Sequence, residues 1–166
     1  MSPAIERAVD ALRAFPVTLE SFLAGISRDA LDWRPRSWEG IPSERLTIRQ
    51  QICHLRDIEA DGYLVRFKRL LTETNPNLDS IDTYALVESR SYDAANVGEA
   101  LASFARARGE SLRLLGVLMP ADLARRGQFE DYGEVTLAGM IHFLCSHDHQ
   151  HLAGIQWLLG QRAAVS

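Results

Sequence analysis

Cysteine is scarce in this chain: Cys53 and Cys145 are the only two, and they lie far apart. A disulfide framework is therefore excluded as the basis of the fold, and two reduced thiols in a cytoplasmic protein are the expectation. No apolar run is long enough to span a bilayer, and the first residues, MSPAIERAVDAL, place acids where a secretory leader would place basic residues. Basic clusters are missing too. The formal net charge is -4, which excludes the electrostatic footprint of a nucleic-acid surface. No glycine-rich loop suits a phosphate, no serine, histidine and acid spacing suits a hydrolase triad, and no HExxH suits a zinc protease. Alternating strand patterns are also lacking; GQFEDYGEV, residues 127–135, gives at most a small hairpin.

What remains is helical periodicity. With 46% hydrophobic and 24% charged residues, the chain has the composition of a soluble protein with one core, and its length suits a single domain, 1–166. The first helix is predicted from Pro3 to Leu23, with Ile5, Val9, Leu12, Leu19 and Leu23 at helical spacing and a kink or break expected at Pro16. A Gly- and Pro-containing loop follows, in which Trp33 and Trp38 are expected to cover one end of the core. TIRQ is a capping box that starts a second helix at Thr47, and its pattern runs to about Leu71. Residues 72–95 read as a long connection with one short helix near Tyr84–Glu88. NVGE, residues 96–99, opens a third helix carrying Leu101, Phe104, Leu112 and Leu115, which Pro120 ends. The fourth starts after Thr136 and ends near Gly160. The fold class is all-α, a four-helix bundle with long connections that permit a topology other than simple up-and-down.

The fourth helix holds the main anomaly, CSHDHQHLAGIQWLL, residues 145–159. At about 100° per residue, Leu137, Met140, Ile141, Leu144, Leu152, Ile155 and Leu158 form one apolar face, and His147 and His151 fall on it one turn apart. His142 and His149 fall opposite and read as solvated. Two imidazoles at i and i+4 can share one metal ion without bending the helix. Two core histidines, each hydrogen-bonded to a carbonyl or an acid, would fit the same spacing. Two polar rings side by side in a core favour the metal. A third ligand must come from elsewhere, and His54 on the second helix is the one histidine left, on a stripe continued by Ile58 and Val65. Three protein ligands with an open position characterise catalytic sites.

Other polar residues are weaker candidates. Asp148 shares the inward face; it pairs with an arginine, orients a metal ligand, or serves as a general base, and it is the candidate catalytic residue. Asp57, Glu59 and Asp61 read as solvated or paired with neighbours such as Arg56. Arg66 and Arg69, the run RARGESLRLL and the pair Arg125–Arg126 read as surface. Phe22, Phe143 and Trp157 lie off the inward stripes and leave apolar surface for a second copy.

LTIRQQICHLRDIEADGYLVR (46–66), GEVTLAGMIHFLCSHDHQHLAGIQWLLG (133–160) and LDWRP (31–35) together resemble the DinB-like family of metal-dependent four-helix-bundle proteins across nearly the whole chain. The resemblance implies a divalent metal held by His54, His147 and His151, with zinc or nickel foremost and iron or manganese admissible. It also implies a homodimer. Relatives include thiol-dependent transferases, so a low-molecular-weight thiol is an implied co-substrate. The resulting expectation is a cytoplasmic metal-dependent enzyme acting on a small-molecule substrate, a thiol S-transferase or a hydrolase, with neither nucleic acid nor membrane as partner. A non-catalytic, stress-related metal-binding scaffold is the alternative.

Overall fold

The computed structural model describes residues 2–165. Helix α1, Pro3–Leu23, starts where Ser2 accepts a hydrogen bond from the Ile5 amide, and it passes through Pro16 without a break. After the single turn α2, Arg28–Leu31, the chain loops to Thr47, whose capping box with Gln50 is complete in both directions. Helix α3, Ile48–Asp57, continues through a π-helical turn, Ile58–Tyr63, into α4, Leu64–Thr72. Then come β1, Asn77–Leu78, the short helix α5, Thr83–Ser89, and α6, Val97–Leu115, capped by Asn96. Strands β2, Arg126–Phe129, and β3, Gly133–Thr136, lead into α7, Leu137–Ala163, capped by Thr136.

The four long helical segments form a bundle. Helix α1 packs against α6 and α7, and so does α3. The first and second helices of the bundle are thus diagonal to each other rather than adjacent. The long connections make this arrangement possible, because an up-and-down bundle with short loops would place consecutive helices side by side.

The expected hairpin is present, β2 antiparallel to β3, but β1 adds a third, parallel strand through Asn77↔Gln128 and Leu78↔Phe129. A two-residue strand is too short to reveal its alternation in sequence. The sheet caps one end of the bundle, with Leu78, Phe129 and Val135 buried in the same apolar cluster as Leu70, Met140 and Leu144.

The core has two apolar clusters that meet at a polar layer. Along α1 the change falls between Leu12 and Phe15, along the second helix between Leu55 and Ile58, along α6 between Phe104 and Leu115, and along α7 between Leu144 and Ile155. Buried polar residues occupy the last three of those gaps: Asp57 on the second helix, with Glu59 just beyond Ile58, Arg108 and Ser111 on α6, and Asp148 and His151 on α7. Trp33 and Trp38 are half-buried against the cluster at the far end, as expected.

The π turn corrects one sequence expectation. The Leu64 amide bonds back to the Glu59 carbonyl, five residues earlier, so one extra residue is accommodated and α4 is rotated by about 100° relative to α3. Val65, expected on the buried stripe, is 41% exposed, and Arg66, expected at the surface, is 5% exposed. Arg66 donates to the Asp79 carbonyl and stacks over Phe129.

Candidate metal site

Phase on α7 brings His147 and His151 to the inward side, and α3 brings His54 to meet them. His54 Nε2 and His147 Nε2 are 3.1 Å apart, and one potential ligand nitrogen from each of the three rings lies within 4.8 Å of the other two. Two imidazole nitrogens bound to one ion at about 2.1 Å must sit roughly 3.0–3.4 Å apart. The His54–His147 pair meets that requirement as it stands.

The surroundings favour neutral rings with free lone pairs. His54 and His151 are buried and His147 half-buried. Burial pushes His54 down to about 4, and pushes His147 and His151 well below the ordinary imidazole value. His151 Nδ1–H donates to Gln51 Oε1 at 3.1 Å, which leaves Nε2 as the electron-pair donor on the cluster side. That Nε2 is buried without a hydrogen-bond partner. Gln51 is itself fully buried and held by Ser43 Oγ and the Leu46 carbonyl, at 3.3 Å each. A buried donor set of three imidazoles, one already oriented by a carboxamide, fits a divalent ion of borderline softness.

Glu44, from the loop before α3, completes the rim. Its Oε2 is 3.2 Å from His151 Nε2 and its Oε1 3.9 Å from His54 Nε2. Burial raises the Glu44 carboxyl above its ordinary range. Outward from His147 opens a cleft of about 340 Å³ lined by Glu44, Tyr63, Phe129, Tyr132, Phe143, Ser146, His147 and Gln150. Part of its wall is aromatic: Phe129 stacks on Tyr132, and Tyr132 tilts against Phe143. Burial also pushes the Tyr63 phenol upward, so it stays protonated.

Asp148 faces inward as expected, with both carboxylate oxygens on Arg108, at 2.7 and 2.9 Å. Arg108 also reaches Glu59 at 2.8 Å and the Leu12 carbonyl at 3.0 Å, and Ser111 Oγ donates to Glu59 at 2.5 Å. Burial outweighs the arginine and lifts the Asp148 carboxyl to about 6. Arg108 therefore corrects the reading of RARGESLRLL as a solvated face: it is 1% exposed, because two buried carboxylates demand a cation. Glu59 likewise is buried rather than solvated, whereas Asp57 is buried with the expected pairing to Arg56. Asp57 is paired with Arg56 and Arg90 and accepts from the Tyr92 hydroxyl at 2.6 Å. Arg125 is half-buried and donates to the Leu70 and Leu71 carbonyls, which ties the connection after α6 to the end of α4.

His142 and His149 are exposed and outside the cluster, as their phase requires. His149 Nδ1 sits 2.6 Å from the Cys145 carbonyl on its own helix. Both cysteines are free thiols, and burial raises Cys53 to about 11. Glu44, Gln51 and Arg108 carry no signal of their roles in the sequence. Glu44 is in an irregular loop without periodicity, and only the completed fold sets Gln51 against His151 or Arg108 against Asp148.

Comparison with known proteins identifies the family and the fold. No curated protein matches the sequence. Among solved structures, YfiT from Bacillus subtilis, described as a probable metal-dependent hydrolase with an unusual four-helix bundle topology, superposes with a TM-score of 0.86 at 25% identity, over 98% of this chain and 90% of that one. Residues 11–155 match the DinB superfamily, and the chain belongs to that superfamily.

Proposed function

We propose that the protein is a metal-dependent hydrolase acting on a small molecule. The observation that carries this reading is the convergence of His54, His147 and His151, with His147 also lining a cleft beside Tyr63, Phe129, Tyr132 and Phe143. These three residues would hold a divalent ion, with zinc or nickel the best match to three imidazoles. Such an ion supplies a Lewis acid and a nucleophile of lowered pKa at neutral pH. The likeness to YfiT supports hydrolysis in particular.

The chain's own residues supply positioning. Gln51 fixes the tautomer and orientation of His151. Phe129, Tyr132 and Phe143 offer an apolar wall to the substrate, and Ser146 and Gln150 offer polar contacts at the cleft edge. We assign Asp148 a positioning role: its bidentate pair with Arg108 fixes the rotation of α7 and hence the aim of His147 and His151. Free thiols at Cys53 and Cys145 favour a cytoplasmic setting. None of the helices is long and apolar enough to cross a membrane among the described residues. We also propose a homodimer, supported by the exposed Phe22 and Phe143; light scattering at micromolar concentration should return twice 18.6 kDa.

The test is elemental analysis of untagged protein together with turnover of activated esters and amides. One ion per chain is expected in the wild type, and neither ion nor turnover in the His147→Ala, His151→Ala double variant. Equal metal in both proteins refutes the site. Conjugation of a low-molecular-weight thiol to an electrophile, without hydrolysis, would replace the reaction by thiol transfer; metal without either activity would make the chain a metal-binding scaffold.

A further inference from the structure

Glu44 presents an arrangement that the three histidines do not explain. Its carboxylate Oε2 is buried and has no hydrogen-bond partner, although it lies 3.2 Å from His151 Nε2. A buried oxygen left without a donor costs free energy. The His151 proton is on Nδ1, committed to Gln51 Oε1, so the nitrogen facing Glu44 carries a lone pair. Two electron-pair donors therefore face each other across a gap where a hydrogen bond would normally be found. The other carboxylate oxygen turns toward His54 Nε2, at 3.9 Å. The loop is held in place independently: the Leu46 amide bonds to the Glu44 carbonyl at 2.7 Å, and Ser43 Oγ reaches Gln51 Oε1. The side chain is thus delivered to the imidazole cluster by anchored backbone.

A cation between these donors removes the conflict. We propose that Glu44 is a fourth protein ligand, an anionic oxygen that joins His54, His147 and His151 on the same divalent ion. The inference rests on the three-histidine reading and extends it. It gives the site a mixed nitrogen and oxygen donor set, and the carboxylate cancels one of the ion's two charges in a buried setting. Oxygen donors favour harder ions such as manganese, whereas imidazoles alone favour zinc and nickel. Glu44 should therefore matter more for manganese than for zinc.

The experiment uses the full, untagged chain stripped with a chelator, as wild type, Glu44→Gln and Glu44→Asp. Affinities for Zn²⁺ and Mn²⁺ are measured by competition titration, and Co²⁺-loaded protein is followed by visible absorption. Loss of an outer-sphere partner alone costs about 10–100-fold in metal affinity, so Glu44→Gln should weaken Zn²⁺ by about 100-fold or more and Mn²⁺ further. Its cobalt spectrum should change, and Glu44→Asp should recover part of the affinity. Thermal unfolding in chelator should be alike for all three proteins, which separates ligation from folding. Zn²⁺ and Mn²⁺ affinities for Glu44→Gln within about threefold of wild type, below even an outer-sphere effect, would overturn the proposal while leaving the histidine site intact. A wild type that binds neither ion would overturn both.

Discussion

Gly154 is the most exacting position in α7, because it faces the residues that aim His151. A Cβ at this position would overlap Ser43 Oγ outright and would lie 2.9 Å from Ser43 Cβ and 2.8 Å from Gln51 Oε1. The serine is short, so its backbone must move. The Gln51 oxygen can swing away only by releasing His151 Nδ1. In Gly154→Ala, helix propensity contributes about 1 kcal/mol in favour of alanine. Overpacking costs about 1–3 kcal/mol, and an unpaired His151 N–H costs a further ~1–3 kcal/mol if Gln51 lets go. With Gln51 released, the net expectation is a loss of about 1–5 kcal/mol in the metal-free protein, and a fall of about 10–100-fold in metal affinity because a ligand has lost its orienting partner. Gly160, in the same helix, is open: a methyl group there would meet nothing within 4 Å. Gly160→Ala should gain about 0.5–1 kcal/mol and leave metal binding unchanged. Urea unfolding in chelator and competitive metal titration read both quantities. If Gly154→Ala gains stability as Gly160→Ala does and binds metal as tightly as wild type, the contact has no role in aiming His151.

Two further outcomes follow from the buried charges. Unfolded histidines titrate near ~6.5, while burial holds His54 at about 4 and His147 and His151 well below their ordinary value. Between those limits the unfolded chain binds more protons, so the metal-free protein should lose stability as pH falls from about 6.5 toward 4, by about 3 kcal/mol from His54 alone. Asp148, raised to about 6, acts in the opposite sense and offsets part of that loss; urea midpoints in chelator that stay flat from pH 7 to 4.5 would contradict the burial argument. Arg108→Met strands Glu59 and Asp148 without their cation and should cost about 3–5 kcal/mol at pH 7 by urea unfolding. A cost below about 1 kcal/mol would mean that the three charges do not act as a unit.

The bundle and the inward pair His147 and His151 are legible in the sequence because both depend on helical phase, whereas His54 is the one histidine left and is marked by the family resemblance. Thr47 and Gln50 form the box that their spacing requires, and His147 and His151 point inward because the apolar residues around them do. Phase counting fails where the helix stops being regular. Ile58–Tyr63 looks like any other helical stretch in sequence, so the stripe runs one residue out of step to Val65. Partners across the bundle are equally hidden. Arg108 and Asp148 are 40 residues apart, and Gln51 and His151 100; Arg108 and Gln51 resemble ordinary surface residues until Asp148 and His151 arrive. Glu44 has neither periodicity nor motif to mark it.

The wide turn also bears on how such a protein can diversify. It divides one continuous helix into two segments with separate angular settings. The segment before it presents His54, and the segment from Tyr63 onward shapes the cleft, directly through Tyr63 and through Arg66 stacked on Phe129. A substitution on α4 is absorbed on the far side of the turn from His54. Loss of a single residue within the turn would swing Arg66 away from its stack on Phe129 and leave His54 where it is.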